Sequence, residues 1–408
     1  MSFQQGLSGL NAAAKNLDVI GNNVANSGTV GFKQSQAQFA DVYANSLTGA
    51  GGSNVGIGTK VSQVTQQFTQ GNITSTNNPL DMAINGGGFF RMDTNGEIAY
   101  QRNGQFQLDK SGYIVNPTGA KLTGYTANAS GVLSVGAPSP IRINTADLVP
   151  NITTDVTAVL NLDSGSTPID GTVTPFNMND PTTFHNSTAV SVYDSLGNSQ
   201  TLQTYYVKRP SGAWDVYAAN DGTQIGAGPV ATLNFNASGA LTTAMPLAAI
   251  NVPATATGAT SPFPVTFDYT GTTQFGSAFS VNTLDQNGYT SGRLAGFNVG
   301  SDGVVLGRYT NGQSAVLGQV VLANFSNPNG LQQMGNNMWT ESSTSGSPLV
   351  GTPNTGSLGV LQSSAVEDSN VDLTAELVNM ITAQRVYQAN AQTIKTQDAV
   401  MQTLVNLR

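Results

Sequence analysis

The chain has 408 residues, of which only 9% are Asp, Glu, Lys or Arg, and carries a formal net charge of −8. Its 15 basic residues form no cluster, which excludes a nucleic-acid surface and attraction to anionic membranes. With no cysteine there is no disulfide framework and no thiolate metal site, and the length suits about two to four domains.

The first predicted element is an N-terminal helix. Phe3, Leu7, Leu10, Ala14, Leu17 and Val24 recur in steps of four and three, with Gly21 in the slot between the last two. That is the seam of a coiled coil. Ser2 and Gln5 offer a capping box. The segment lacks the basic start and continuous apolar run of a secretory signal peptide. Nowhere does a run of about 18 apolar residues occur, so no membrane insertion is expected.

Residues 31–72 and 350–364 read as linker or extended connecting segments. The Gly/Ser-rich stretches "NSLTGAGGSNVGIG", inside the first, and "SSTSGSPLVGTPNTGS", overlapping the second, read as linkers. From about Thr59 to Gln362 helical periodicity gives way to short β-rich runs such as "GGFFRM", "TLQTYYVKR" and "AVLGQVVLANF". An Asx-x-x-Gly turn recurs at Asp93–Gly96, Asp109–Gly112, Asn128–Gly131, Asp194–Gly197 and Asn236–Gly239. Composition shifts at "VGAPSPIRI" and "NTLDQNGYTSGRL" bracket a block rich in Thr, Ala and Pro. The reading is an inner β domain of residues 73–145 and 287–349, with an outer β domain of residues 146–286 inserted into it.

No glycine or proline occurs after Val360, and a second heptad pattern follows. Leu373, Leu377, Met380, Gln384, Tyr387, Ala391, Ile394, Asp398, Met401 and Val405 hold its seam, with Asn370 or Asp372 as N-cap. Gln384, Ala391 and Asp398 make that seam weak in isolation. Residues 1–30 and 365–408 are therefore expected to pair as a terminal coiled-coil domain. The fold class is mainly β with terminal α-helices: two or more β domains, one inside the other, plus the coiled coil.

Chemistry is sparse. His185 is the chain's one histidine, and a nucleophilic site would need it with Asp180 or Asp194 as its orienter. A lone surface histidine is the simpler reading. "INGGGFF" runs from glycines into a strand rather than a helix N-terminus, which suits a tight turn better than a phosphate cradle. Phe89 and Phe90 read as core and edge of that strand. No calcium-loop spacing and no singled-out carboxylate pair appear, so no cofactor, no metal and no catalysis are expected.

The ends carry a resemblance. "GLNAAAKNLDVIGNNVANSGTVGFK", with Asn22, Asn23, Ala25, Asn26, Gly31 and Phe32, resembles the N-terminal signature of bacterial flagellar rod and hook proteins. "SNVDLTAELVNMITAQRVYQANAQTIKTQDAVMQTLVNLR" resembles their C-terminal signature, and "DMAINGGGFFRM" with "YQRNGQFQLDKSGYIVNPTGAKLTGY" resembles their shared β domain. The block from about 146 to 286 is similar only weakly. Length and the inserted block point to the hook members of the family; a distal-rod type and a secreted β-rich adhesin are the alternatives.

The resemblance implies a homopolymeric, torque-transmitting curved tube outside the cell. It implies export by the flagellar type III apparatus without a cleaved Sec signal. The hook cap protein, the rod and the hook–filament junction proteins are the implied partners. The assembly residues it points to are Phe3, Leu7, Leu10, Leu17, Val24, Leu373, Leu377, Met380, Tyr387, Ile394, Met401 and Val405.

Overall fold

A computed structural model describes residues 2–42, 56–128, 131–256 and 258–406. The Gly/Ser-rich stretch at 45–58 therefore lies almost wholly outside the described residues. The chain divides into two compact units. The first is Met1–Thr145 with Gly296–Arg308 and Ser314–Arg408; the second is Ala146–Ala295 with Tyr309–Gln313.

The first unit begins with α1 (Ser2–Ala25) and ends with α2 (Leu373–Asn406). After α1 come β1 (Ser35–Val42) and β2 (Gly58–Gln66), paired antiparallel from Ser35 opposite Gln66 to Val42 opposite Gly58. A segment read as a connector is thus a hairpin. Its alternation of half-buried and exposed residues puts one face against the helices.

Next follow β3 (Ile73–Ser75), β4 (Met82–Asn85), β5 (Phe89–Thr94) and β6 (Glu97–Gln101). The main sheet runs in the order Ser314–Val320, Lys121–Thr126, β5, β6, Met338–Thr340, Gln332–Gly335. Residues after 350, also read as connecting, pair as well: Val360–Ser363 lies along β4. Pairing supplies the backbone partners that a buried segment requires.

β5 turns into β6 over Asn95 and Gly96, both left-handed at φ 55° and 96°, and Gly96 N donates to Asp93 Oδ1 at 2.7 Å. The five Asx-x-x-Gly turns all place their glycine at positive φ. Phe89 and Phe90 are both buried, so Phe90 is no edge residue. Phe89 packs edge-on against Phe68, Phe325 and Trp339, while Phe90 meets Phe106 on the other side.

The second unit is a β-sandwich. One sheet orders Ile250–Val252, Phe263–Asp268, Asp155–Asn161 and Ser280–Gln286; the other orders Asn186–Tyr193, Ser199–Lys208, Trp214–Asn220 and Thr223–Ile225. Inward residues of both, among them Leu160, Leu202, Tyr206, Trp214, Val265 and Phe267, form one core. The unit runs past the sequence-read end at 286. Tyr289 pairs with Asn151, Gly292 with Leu148, and Thr310 N donates to Arg293 O. Both units are β-built, and the helices stand at the two ends of the chain.

Candidate functional site

α1 and α2 pack antiparallel. A Cβ placed on Gly6 would lie 3.2 Å from Ile394 Cγ1, and one on Gly9 would lie 2.7 Å from Asn390 Oδ1. As the number rises on one helix it falls on the other. The buried and half-buried positions of α2 are Glu376, Met380, Ala383, Asn390, Ala391, Ile394 and Gln397; apart from Ala391 they again fall in steps of four and three, with Tyr387 in the gap. On α1 the corresponding line is Gly6, Gly9, Ala13, Asn16, Ile20 and Asn23. Glycine and alanine let the helix axes approach closely, which larger side chains would prevent.

This line is displaced by one residue from the expected α1 seam. Phe3 and Leu7 are 49% and 43% exposed, while Leu10, Leu17 and Val24 are half-buried. On α2, Met380 and Ile394 are half-buried and Tyr387 is 37% exposed. Leu373, Leu377, Met401 and Val405 are exposed. Sequence reading placed the largest apolar side chains in the intramolecular seam. In the subunit small residues fill it, and many of the large ones face outward.

Asparagines tie the helices to the hairpin. Asn23 Nδ2 donates to Ser35 O at 2.8 Å and Ser35 N donates to Asn23 Oδ1 at 2.9 Å. Asn370 does the same from the other end: it accepts from Gln34 N at 2.7 Å and donates to Gln67 O at 2.8 Å. Asn370 is therefore no cap. Asp372 caps α2, its Oδ1 accepting from Thr374 N and Ala375 N. Gln5 makes no capping box either; its Nε2 donates to Gly56 O at 2.6 Å.

Below the helices lies a buried ionic cluster that the sequence reading missed. Glu367 Oε1 accepts from Lys33 Nζ at 2.7 Å and from Gly71 N at 2.8 Å; Oε2 accepts from Arg102 Nε at 2.6 Å. Two cations meet one carboxylate. Carbonyls absorb the surplus: Lys33 donates to Thr69 O, and Arg102 to Ile84 O, Gly86 O and Gly88 O. The "INGGG" loop is thus a cradle of carbonyls for a guanidinium, opposite in sense to a phosphate loop. Gly86 and Gly88 turn those carbonyls inward at φ 113° and 117°, which side-chain-bearing residues rarely adopt. Burial alone would raise the Glu367 pKa, but Arg102 and Lys33 outweigh it and hold the carboxyl below the usual range. Burial lowers Lys33 against the pull of Glu367. Charged residues converging in a chain so poor in charge were the available signal, but they are 334 and 265 positions apart in sequence.

Elsewhere, His185 is structural. Its Nδ1 accepts from Lys208 N at 3.1 Å, its Nε2 lies 2.7 Å from Thr167 O, and its ring lies edge-on to Trp214. The carboxylates of Asp180 and Asp194 serve their own turns. Among the described residues no group of His, Asp and Glu is placed to hold a metal ion, and no helix is long and apolar enough to cross a membrane. What the terminal module offers is surface for another chain.

Four families match the chain. Residues 3–33 match "Flagella basal body rod protein", 83–173 "Flagellar hook protein FlgE/F/G D1 domain", 161–289 "Flagellar basal body protein FlaE D2 domain" and 362–407 "Flagellar basal body rod FlgEFG protein C-terminal". The flagellar hook proteins FlgE of Salmonella typhimurium and Escherichia coli K12 are each 45% identical to it, over all of this chain and all of theirs. The crystal structure of Helicobacter pylori flagellar hook protein FlgE2 shares the fold with TM-score 0.54 and 14% identity, covering 71% of this chain and 99% of that one.

Proposed function

This chain belongs to the flagellar hook protein family, as a structural subunit of the hook, and we propose that it polymerises through its terminal helices into a flexible, curved tube that transmits motor torque to the filament. The observation that carries this reading is the uncovered apolar surface of those helices. Phe3, Leu7, Leu373, Leu377, Val378 and Ile381 are all between 43% and 59% exposed. At roughly 25 cal/mol per Å2, leaving such side chains in water is a standing cost that a neighbouring subunit removes.

Distinct complementary patches on one molecule generate open helical assemblies when the rotation between copies does not close. The low charge supports flexibility. Polar, wet contacts between outer surfaces exchange at small cost as a bent tube turns, whereas dry apolar ones do not. The rod, the hook cap and the hook–filament junction proteins are the end partners of such a tube. Export through the flagellar type III apparatus, without a cleaved Sec signal, would deliver it outside the cell. No catalytic step is part of this reading.

Electron microscopy of the purified chain concentrated in salt tests it. Tubes are expected; a chain that stays monomeric or forms only amorphous aggregate overturns the proposal.

A further inference from the structure

A groove of about 830 Å3 lies between α1, α2 and the β1–β2 hairpin. Small and apolar residues, Gly9, Ala13, Ile20 and Ala383, form part of its floor beside the polar Asn16, Gln34 and Asn379; Phe39 and Val386 stand exposed at its lining. Glu376 also lines it. This carboxylate is 3% exposed, accepts from Gln34 Nε2 through Oε1, and has no partner for Oε2 among the described residues. A buried carboxylate oxygen without a donor is costly unless something supplies one.

The same helix carries the missing group. Arg385 is exposed and makes no ion pair among the described residues. It stands nine positions after Glu376. At 3.6 residues per turn and about 1.5 Å rise, that puts the two on opposite sides of α2 and about 13.5 Å apart along it. They cannot meet within one chain. Arg385 lies on the outward stripe with Val378 and Ile381, which are 59% and 52% exposed.

We propose that the groove receives the outer face of α2 from a second copy of this chain, Val378 and Ile381 filling the small-residue floor while Arg385 of that copy bonds Glu376 Oε2. This rests on the hook-subunit reading and names the contact that would build the tube. Groove and stripe lie on different faces of one helix, so each copy both receives and donates, and the contact propagates head to tail.

Charge exchange tests it. Glu376→Arg alone and Arg385→Glu alone should each raise the critical concentration for polymerisation on the order of thirtyfold or more, as loss of one partner of a buried charge pair does. Mixed one to one, the two variants should polymerise together, because every groove then faces a stripe of opposite charge. Should Glu376→Arg fail to fold, cysteines decide, since the chain has none of its own. Assembled from a mixture of Phe39→Cys and Ile381→Cys chains, oxidised tubes should give a mixed disulfide dimer on a denaturing gel. Unchanged critical concentrations, or tubes that form without that cross-link, overturn the proposed contact and leave the hook-subunit reading intact. Failure of the unaltered chain to polymerise sinks both.

Discussion

Glu367 concentrates much of the first unit's polar order in one side chain. It is fully buried and holds Lys33 and Arg102 through its carboxylate and Gly31 N through its carbonyl, at 2.7 Å for the last. Four chain segments meet there: the stretch after α1, the stretch after β2 that carries Gly71, the strand end after β6, and the approach to α2. Removing the negative partner leaves two buried cations facing carbonyls alone. Glu367→Gln should therefore destabilise the first unit by roughly 3–5 kcal/mol, measured by chemical denaturation. The pH dependence has a definite sign. The folded carboxyl releases its proton more readily than the unfolded one, so its contribution is fully present above the ordinary glutamate pKa of about 4.3. It is lost as pH falls through the depressed folded value. Glu367→Gln should flatten that acid limb of the stability curve; an unchanged limb would show that other carboxylates carry it.

At the scale of elements, the α1–α2 pair has an inner face built for close approach and an outer face built for neighbours. Gly9 and Gly21 separate the two. A Cβ on Gly21 meets nothing within 4 Å, whereas one on Gly9 would press on Asn390. Gly21→Ala should raise the thermal stability of the helical signal by up to about 1 kcal/mol, because helical glycine costs that much. Gly9→Leu should lower it by about 1–3 kcal/mol through overpacking. Thermal melts followed by far-ultraviolet circular dichroism report both. Equal responses would mean that α1 and α2 do not touch as described. Leu377→Asp addresses the outer face. Leu377 is 45% exposed in the subunit, so the monomer's stability should change by no more than about 0.5 kcal/mol. In the polymer the leucine is expected to be buried, and its loss together with an unpaired carboxylate recurs at every subunit. Sedimentation should find no polymer. A monomer that melts much earlier than the unaltered chain would place Leu377 in the subunit's own packing instead.

At the scale of the molecule, the two compact units each contain one tryptophan of the chain's two: Trp339 in the first and Trp214 in the second. Both are buried, at 2% and 0% exposure, so their emission reports each unit by itself. Deleting residues 146–295 and joining Thr145 to Gly296 should leave Trp339 buried and its melting cooperative. The second unit's remaining piece, Tyr309–Gln313, closes a hairpin of its own, with Tyr309 N donating to Gln313 O. Exposed Trp339 emission or a broad melt in the deletion variant would show that the first unit depends on the second, against the nested arrangement.

How much of this was legible from sequence follows from how local each cause is. Heptad periodicity is local, so both terminal helices were readable, as were the turns fixed by Asx and glycine. The signature residues at the chain ends identified the family for the same reason. Asn23 and Gly31 stand within the N-terminal signature, although their work, bridging to Ser35 and bonding Glu367, was not visible in it. What the sequence alone could not decide was which face of each helix turns inward. Periodicity locates an apolar stripe but does not say whether the chain itself or another copy covers it, and the hydrophobic effect favours either burial equally. The tertiary structure settled that by close packing, in favour of Gly6, Gly9 and Ala383 over Phe3, Leu7 and Leu377. The Lys33–Glu367–Arg102 cluster and the Gln34–Glu376 contact lay equally out of reach. Their members come together only because folding brings the two ends of the chain side by side, and no local pattern records a pairing between residues hundreds of positions apart.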